Sequence, residues 1–402
     1  MRQGAAARER PGEARPALRP ALRPRPHVCF VAPHAWPVFS GDPNIQVVGG
    51  AEVQQSILAR LFQRAGYRVS MITLDFGQTE RVELDGVTVH KTYRPDAGIP
   101  VVRFLHPRLS SVWRALADVD ADIYYHRSAG MLTGIIAEYC RRHGKRSLYA
   151  GASDMDFVPG KEQIRLGRDR WLYQHGLRTV DAIVAQNPKQ VETCREHYGR
   201  EAILIPSCYQ LPRDARPGSG DTVLWCGTVH TYKRPELLLE IARRLPHRKF
   251  VMVGGHGVDE TLSVPYYKSV LGEARALGNV EATGFLPLAQ VEPYFDRARV
   301  FLNTSDYEGM PNTFMQAWSR GIPTVATVDV GARVGGELIY RQFDKVEEGA
   351  AEIERLLGDA AHWQRASARV RSYFEATHSS AEVLARYSQV FERLADAPRR
   401  PA

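Results

Sequence analysis

The sequence predicts an α/β protein built from two consecutive Rossmann-like domains. At 402 residues the chain is long enough for two domains of ordinary size, each with its own apolar core. Short apolar runs alternate along the chain with segments of helical periodicity, a pattern typical of a parallel sheet with helices on both faces. The alternation stops in a Pro- and Gly-rich stretch at 206–221 and then restarts. This break predicts two domains, at about 27–212 and 221–365.

The first domain is expected to open with a strand, a helix and a second strand. Residues 27–32 form a short apolar run, and 51–65 carry apolar side chains at helical spacing until Gly66 ends the pattern. A second apolar run at 68–74 completes the unit. Further strand-like runs follow at 122–125, 181–185 and 202–205. Because helical patterns separate these runs, the strands are expected to be parallel.

The same alternation predicts the second domain. Its expected strands are 222–226, 249–253, 280–283, 299–303 and 323–327, and its expected helices include 235–245 and about 312–320. Near the end of the chain, Ser379 and Glu382 form a capping box ahead of an amphipathic pattern. This signature predicts a last helix at about 379–395.

Composition excludes several classes of protein. The formal charge is +8, but residues 1–26 contain seven Arg and two Glu and so contribute +5 of it. The remainder is only mildly basic, which does not indicate nucleic-acid binding. The five cysteines are scattered without a C-x-x-C pair, which favours buried thiols in a reducing cytoplasm over disulfides or a zinc site. No apolar run approaches the roughly 18 residues of a membrane span.

The first 26 residues are rich in Arg, Pro and Ala and lack the apolar core of a signal peptide. We therefore expect a disordered tail. An alternative role is contact with acidic lipid headgroups, which would hold a cytoplasmic protein peripherally at the inner face of the membrane.

The strongest functional signal follows the apolar run 299–303. There the chain is expected to pass from a strand through a loop containing Glu308 into a helix that carries Gln316 about two turns later. A loop that opens a helix leaves unpaired N–H groups and the positive helix end at one point, which suits an anion such as a nucleotide phosphate. Glu308 and Gln316 are then predicted to line one elongated ligand. The residues predicted beside the anion are Gly309, Met310, Pro311 and Asn312.

A second segment places cations near a helix start. Gly227 ends a predicted strand, and Lys233 and Arg234 stand just before a helix that begins with Pro235. A cation beside a positive helix end is suited to neutralise a leaving diphosphate.

Two glycine loops and one histidine complete the candidate site. Gly49 and Gly50 precede the first helix, and Gly254 follows a strand of the second domain, so the backbone at each loop is able to approach a ligand closely. His126 stands at the end of a predicted strand, where α/β proteins commonly bind ligands.

The stretch from Glu308 to Gln316 resembles the E-x7-E element of retaining glycosyltransferases of family 4, which have the GT-B architecture of two domains facing across a cleft. The resemblance extends over 27–395 and is most specific at 222–327. It implies that Glu308 contacts hydroxyls of the donor sugar, that the loop and helix start after it meet the diphosphate, and that residue 316 holds the ribose. It further implies a phosphate-binding Lys233, a His126 that contacts the transferred sugar, and a last helix that packs back on the first domain.

The chain departs from this family pattern at two positions. Residue 316 is Gln where the family has Glu, and Thr228 stands where the family has a second phosphate-binding Arg. Arg234 is a candidate replacement for that Arg. Gln316→Glu is expected to keep or strengthen nucleotide affinity, because a carboxylate accepts hydrogen bonds from hydroxyls more strongly than an amide does. The family needs neither a metal nor a cofactor, so the D-x-D lookalike at Asp154 and Asp156 carries no metal assignment.

The resemblance implies a metal-independent hexosyltransferase that moves a sugar from a nucleotide-diphosphate sugar to a hydroxyl acceptor. The expected acceptors are glycans or lipid-linked molecules of polysaccharide, lipopolysaccharide or glycolipid assembly. Two alternatives remain. A nucleotide-sugar epimerase would need further cleft carboxylates such as Glu52, Asp154 or Asp156, and a non-catalytic nucleotide-sugar binding module would fit the changes at Thr228 and Gln316.

Overall fold

The computed structural model describes residues 25–41, 49–99, 102–211, 220–257 and 260–398. Most of the predicted tail and half of the predicted break at 206–221 therefore lie outside the described residues. Within the part that is described, no helix is long and apolar enough to cross a bilayer.

The first half of the chain forms an eight-stranded sheet in the order β3-β4-β2-β1-β5-β6-β7-β8. Six of its seven strand pairings are parallel, and the pairing of β3 with β4 is antiparallel. The strands are β1 Val28–Val31, β2 Val69–Thr73, β3 Arg81–Leu84, β4 Val87–Lys91, β5 Ile123–Arg127, β6 Arg146–Ala150, β7 Ala182–Ala185 and β8 Ile203–Leu204. The α-helices of this half are α1 Trp36–Ser40, α2 Gly50–Arg64, α3 Ser110–Val119, α4 Leu132–His143, α5 Gly167–Thr179 and α6 Pro188–Tyr198.

The second half forms a six-stranded, wholly parallel sheet in the order β11-β10-β9-β12-β13-β16. A short antiparallel pair, β14 with β15, stands apart from it. The strands are β9 Thr222–Cys226, β10 Lys249–Val253, β11 Val280–Gly284, β12 Ala298–Asn303, β13 Thr324–Ala326, β14 Arg333–Val334, β15 Glu337–Leu338 and β16 Arg341–Gln342. The helices are α7 Pro235–Arg244, α8 Glu260–Ala276, α9 Leu288–Arg297, α10 Asn312–Ser319, α11 Val346–Gly358, α12 Ala360–Thr377 and α13 Ser380–Asp396.

The sequence analysis missed three strands of the first sheet. Strands β3 and β4 form a hairpin whose turn is Asp85-Gly86, with φ of 53° and 73°, and an Asp-Gly pair between apolar runs is a recognised hairpin signal. Strand β6 begins with Arg146, whose guanidinium is buried and donates a 2.9 Å hydrogen bond to the Leu394 carbonyl. A short run that begins with arginine does not look like a buried strand in the sequence. The carbonyl that accepts from Arg146 belongs to Leu394, which is too far away in the sequence to be recognised as its partner.

Helix α13 lies against the first sheet, although it comes after the strands of the second sheet in the chain. Tyr387 and Phe391 are buried against Phe62, with ring centroids 5.7 and 5.0 Å away, and Tyr387 also contacts Tyr125. The Ser379 hydroxyl accepts a hydrogen bond from the Glu382 N–H at the helix start. The first apolar core is therefore completed by residues from the end of the chain.

The carboxyl ends of the two sheets face each other. The Asn312 side chain at the start of α10 donates to the Gly50 carbonyl at 3.1 Å and accepts from Gln54 of α2 at 2.7 Å. Gly309 also lies against the other half, since a Cβ there would be 3.0 Å from the Ala152 carbonyl oxygen. These contacts place the loops after β12 and β6, and the start of α2, around one cleft.

Candidate active site

Three adjacent strands of the second sheet end at the cleft. Gly227 follows β9, Gly254 follows β10, and the loop 304–309 follows β12. The Gly227 N–H donates to the Val253 carbonyl at 3.0 Å, and a Cβ at residue 254 would lie only 1.8 Å from the Gly227 oxygen. Position 254 therefore admits no side chain, and the backbone itself forms the surface of the site there.

The loop after β9 is fastened to the loop after β12. The Trp225 indole N–H donates to the Thr304 hydroxyl at 2.9 Å, and that hydroxyl donates to the Lys233 carbonyl at 2.7 Å. The Asp306 N–H donates to the Tyr232 carbonyl at 2.8 Å. Two segments that are about 70 residues apart in sequence are thereby held as one surface.

This fastening brings Lys233 and Glu308 into direct contact. The Lys233 ammonium forms an ion pair with a Glu308 carboxylate oxygen, which also accepts a 2.7 Å hydrogen bond from the Ser305 hydroxyl. The side chains of the pair are 17% and 12% exposed, so they are reached from the cleft yet largely shielded from water. In this structure the cation and the carboxylate neutralise each other, and a ligand that uses both must separate them.

The helix start beside this pair is open. Helix α10 begins after Pro311, which provides no side-chain cap, and no acidic residue lies in its first turn. Its first N–H groups therefore present partial positive charge toward the cleft, next to Gly309 and Met310. The structure thus brings together Lys233, Glu308 and the loop 309–312, as the sequence analysis predicted for an anion site, while the roles of these residues stay predictions.

Arg234 has a different environment from Lys233. It adopts a left-handed conformation with φ of 46°, and its guanidinium lies 3.3 Å from Asp306 and 3.6 Å from Glu236. Because its side chain is 41% exposed and faces two carboxylates, it is a weaker candidate than Lys233 for a phosphate contact.

Gln316 is buried, with 3% of its surface exposed. Its side-chain NH2 donates a 2.9 Å hydrogen bond to Glu292 of α9. Glu292 also accepts from the Tyr209 hydroxyl at 2.7 Å and from Arg320 at 2.8 Å. The sequence analysis missed this cluster because Glu292 is 24 residues from Gln316; only Arg320, one helical turn after Gln316, lies at a spacing that sequence alone connects.

His126 is the residue before the last in β5 of the first sheet and is 6% exposed. Its Nδ1 lies 2.8 Å from the Val31 carbonyl, so this nitrogen carries the proton and Nε2 is left as an acceptor. Burial lowers the pKa of His126 to about 4, against a weaker opposing effect of the Val31 hydrogen bond. The imidazole is therefore neutral at physiological pH.

The buried His126 predicts an acid-dependent loss of stability. An unfolded histidine takes up a proton near pH 6.5, whereas His126 in the folded chain does so only near pH 4. Protonation therefore favours the unfolded chain between these values, and the free energy of unfolding falls as pH falls from about 6.5 to 4. In His126→Gln, the change of the free energy of unfolding with pH is expected to be smaller by about 1.4 kcal/mol per pH unit over this range. Urea titrations of parent and variant at several pH values measure it, and equal slopes would contradict the prediction.

Comparison with known proteins shows to which class of protein the chain with this site belongs. Residues 48–209 match the model of Glycosyltransferase Family 4, and residues 220–359 match that of Glycosyl transferases group 1. The chain belongs to the family 4 glycosyltransferases, and its fold is the GT-B arrangement of two Rossmann-like domains. The family and the fold class predicted from sequence are thereby confirmed.

Individual relatives are distant. Mannosylfructose-phosphate synthase of Agrobacterium fabrum is 26% identical over 249 residues, which cover 53% of this chain and 54% of the relative. The match thus spans about half the length of that curated relative. Sucrose-phosphate synthase from Thermosynechococcus elongatus has a similar structure, with a TM-score of 0.74 and 19% identity over 92% of this chain and 99% of that one. Anabaena HepE, solved with UDP and glucose, follows with a TM-score of 0.71 and 16% identity over the same shares.

Proposed function

We propose that the protein is a retaining, metal-independent hexosyltransferase that transfers a sugar from a nucleotide-diphosphate sugar to a hydroxyl acceptor. The observation that carries the proposal is the contact between Lys233 and Glu308 beside the open start of α10. One spot of the cleft thus offers a cation and backbone N–H groups for a diphosphate, and a carboxylate for sugar hydroxyls. The presence of UDP in the related fold of HepE supports a nucleotide-sugar donor.

Each residue has a stated role in this proposal. Lys233 and the N–H groups after Gly309 take the negative charge that develops on the leaving diphosphate. Glu308 orients the donor sugar by accepting from its hydroxyls. The acceptor hydroxyl attacks the sugar on the face from which the diphosphate departs and gives its proton to the diphosphate, so no covalent glycosyl-enzyme forms and Glu308 is not a nucleophile. His126 is neutral, and its Nε2 is available to accept a hydrogen bond from the transferred sugar.

The remaining predicted contacts are made by backbone. Gly49 and Gly50 lie at the start of α2, where Asn312 joins the two halves, and Gly227 and Gly254 form the floor at the ends of β9 and β10. We assign the acceptor to the first half and propose a glycan or lipid-linked molecule in the cytoplasm or at the membrane surface.

The epimerase alternative finds little support in the cleft. The Asp156 carboxylate accepts from the Tyr149 hydroxyl and from the N–H groups of Ala152 and Ser153. Asp154 accepts from Asn187 and Gln190, each at 3.0 Å. These carboxylates hold the loop after β6 in place and are not free to move protons to and from a sugar.

A donor screen tests the proposal. The full chain is heated with UDP-, GDP- and ADP-sugars, and a true donor at 100 times its dissociation constant is expected to add about 2.7 kcal/mol of stability. Product analysis with and without an acceptor then separates the classes. Transfer or slow donor hydrolysis supports the proposal, conversion to a second nucleotide sugar would indicate an epimerase, and binding without any reaction would indicate a binding module.

A further inference from the structure

Gln316 and Glu292 form a matched donor and acceptor pair beside the proposed nucleotide site. The Gln316 NH2 is used by the 2.9 Å hydrogen bond to Glu292, and a carboxylate without a proton only accepts. The bond therefore fixes which end of the amide faces α9. No hydrogen bond occupies the Gln316 side-chain oxygen among the described residues, so the opposite end of the amide remains an acceptor.

Glu292 is itself held rigidly. Tyr209 and Arg320 both donate to its second carboxylate oxygen, and the Arg320 guanidinium, which is fully buried, also pairs with Asp296 at 2.7 Å. Arg320 further donates to the Gln316 carbonyl at 3.2 Å. Donors from α10, from Arg320 just after it and from the segment after β8 thus converge on one carboxylate of α9 and leave it little freedom to rotate.

The cluster also lies close to the contacts between the two halves, because Gln316 follows Asn312 by one helical turn on α10 and Asn312 bonds to Gly50 and Gln54 of the first half. Burial raises the pKa of the Cys226 thiol to about 12, with the Glu292 charge adding to the shift and Lys233 opposing it. Cys226 directly precedes Gly227 at the end of β9. Cys226 also packs against the apolar cluster that contains Tyr209 and Met315, so the strand end that leads to Gly227 lies beside the neighbours of Glu292 and Gln316.

We propose that Glu292 is a positioning residue that orients the Gln316 amide so that its oxygen accepts a hydrogen bond from a ribose hydroxyl of the bound nucleotide. This inference rests on the proposed function. It reverses the expectation from sequence that Gln316→Glu strengthens binding. In that variant two carboxylates would meet where one N–H···O bond now stands, and like charges at this distance repel.

The test compares four variants: Gln316→Glu, Glu292→Gln, the double variant with both changes, and Asp296→Asn. The probe is UDP, or ADP or GDP if the donor screen selects one of them, together with its 2′,3′-dideoxy analogue. The measured quantity is the ratio of the two dissociation constants at pH 8. One hydrogen bond of about 1.4 kcal/mol gives the parent about tenfold preference for the ribonucleotide.

We expect Gln316→Glu to lose this preference at pH 8, because two carboxylates then face each other where the Gln316 amide now donates to Glu292. Arg320, Asp296 and Tyr209 face the pair and are the other charged or titratable groups of the cluster. The double variant restores an N–H···O bond with the same total charge. Its preference is expected to return to within about threefold of the parent, which corresponds to about 0.65 kcal/mol.

Asp296→Asn is the matched control. Like Glu292→Gln it removes one carboxylate charge from Arg320, on the same helix and one turn away, but Asp296 makes no described bond to Gln316. Both changes are expected to lower the melting temperature, whereas only Glu292→Gln should reduce the ribose preference. This difference between the two variants tests whether Glu292 orients the Gln316 amide, even if Gln316→Glu fails to fold.

Four outcomes would overturn the inference. Equal ribose preference in Glu292→Gln and Asp296→Asn would show that the cluster is merely structural. A folded Gln316→Glu variant that keeps the parent's preference at pH 8 would show that Glu292 does not orient residue 316. A parent that binds UDP and its dideoxy analogue equally would remove the ribose contact while leaving the proposed function intact, whereas a parent that binds no nucleotide overturns both.

Discussion

Glu308→Ala is expected to lower the rate of sugar transfer by about 10- to 150-fold, the equivalent of one charged hydrogen bond of about 1.5 to 3 kcal/mol. The carboxylate is assigned to the donor sugar, so its loss removes an interaction with the reacting part of the substrate. Affinity for the nucleoside diphosphate should be unchanged or higher, because the variant also frees Lys233 from its ion pair. Single-turnover rates and calorimetric binding measure the two effects separately.

The control for Glu308 is an exposed carboxylate of the same half that has no described bond to the loop 304–309. Glu337 of β15 is 79% exposed in its side chain and pairs with Arg369 at 3.1 Å, so Glu337→Ala should leave transfer unaffected. Parent-like turnover by a folded Glu308→Ala protein would refute the assignment of this carboxylate to the donor sugar.

Lys233→Ala is expected to weaken nucleoside diphosphate binding by about 10- to 150-fold while changing nucleoside binding little. The substitution removes the cation assigned to the diphosphate and leaves Glu308 unpaired, so a negative charge then faces the phosphates. The effect should therefore be partly reversed in the double variant with Glu308→Ala. Dissociation constants for the nucleoside and its diphosphate, measured in all four combinations, give the coupling between the two side chains.

Lys249 provides the matched control for Lys233. It forms an exposed ion pair with Asp221 at 2.9 Å on the far end of the sheet, so Lys249→Ala should change neither constant. Equal weakening of nucleoside and diphosphate by Lys233→Ala would mean that the lysine supports the loop and does not bind phosphate.

The strands and helix starts around the site could be predicted wherever the sequence pattern of the segment itself determines its structure. Strands β9 and β10 and the starts of α7 and α10 fall where the apolar periodicity and the Pro and Gly signals placed them. The apolar runs of these strands are uninterrupted, because parallel strands in the middle of a sheet are buried on both faces. The resemblance to family 4 enzymes implied that Lys233 and the Glu308 loop share one site, and in the structure they meet because the adjacent parallel strands β9 and β12 end at the same edge of the sheet.

What the sequence could not predict depends on contacts between distant residues. The Glu292 carboxylate lies on a helix whose pattern is ordinary, and only the packing of α9 against α10 brings it to Gln316. Arg146 of β6 is likewise understood only from a distant contact. In the sequence it looks like a surface residue, but in the fold its guanidinium donates a hydrogen bond to the Leu394 carbonyl. If Glu292 has the role proposed above, the expected effect of Gln316→Glu changes sign, because the neighbour that determines the charge environment of residue 316 cannot be seen in the local sequence pattern.

The position of α13 makes the fold of the first half depend on the second, because this helix from the end of the chain completes the first apolar core. A fragment ending at residue 211 would lack Tyr387 and Phe391, and the rings of Phe62 and Tyr125 would be left uncovered. Such a fragment is expected to aggregate when produced alone and to become soluble when a second fragment, 220–398, is produced with it. A cut in the linker would thus yield two pieces that stay associated through the last helix, and this gives a route to a split, reassembling enzyme whose halves can be labelled independently.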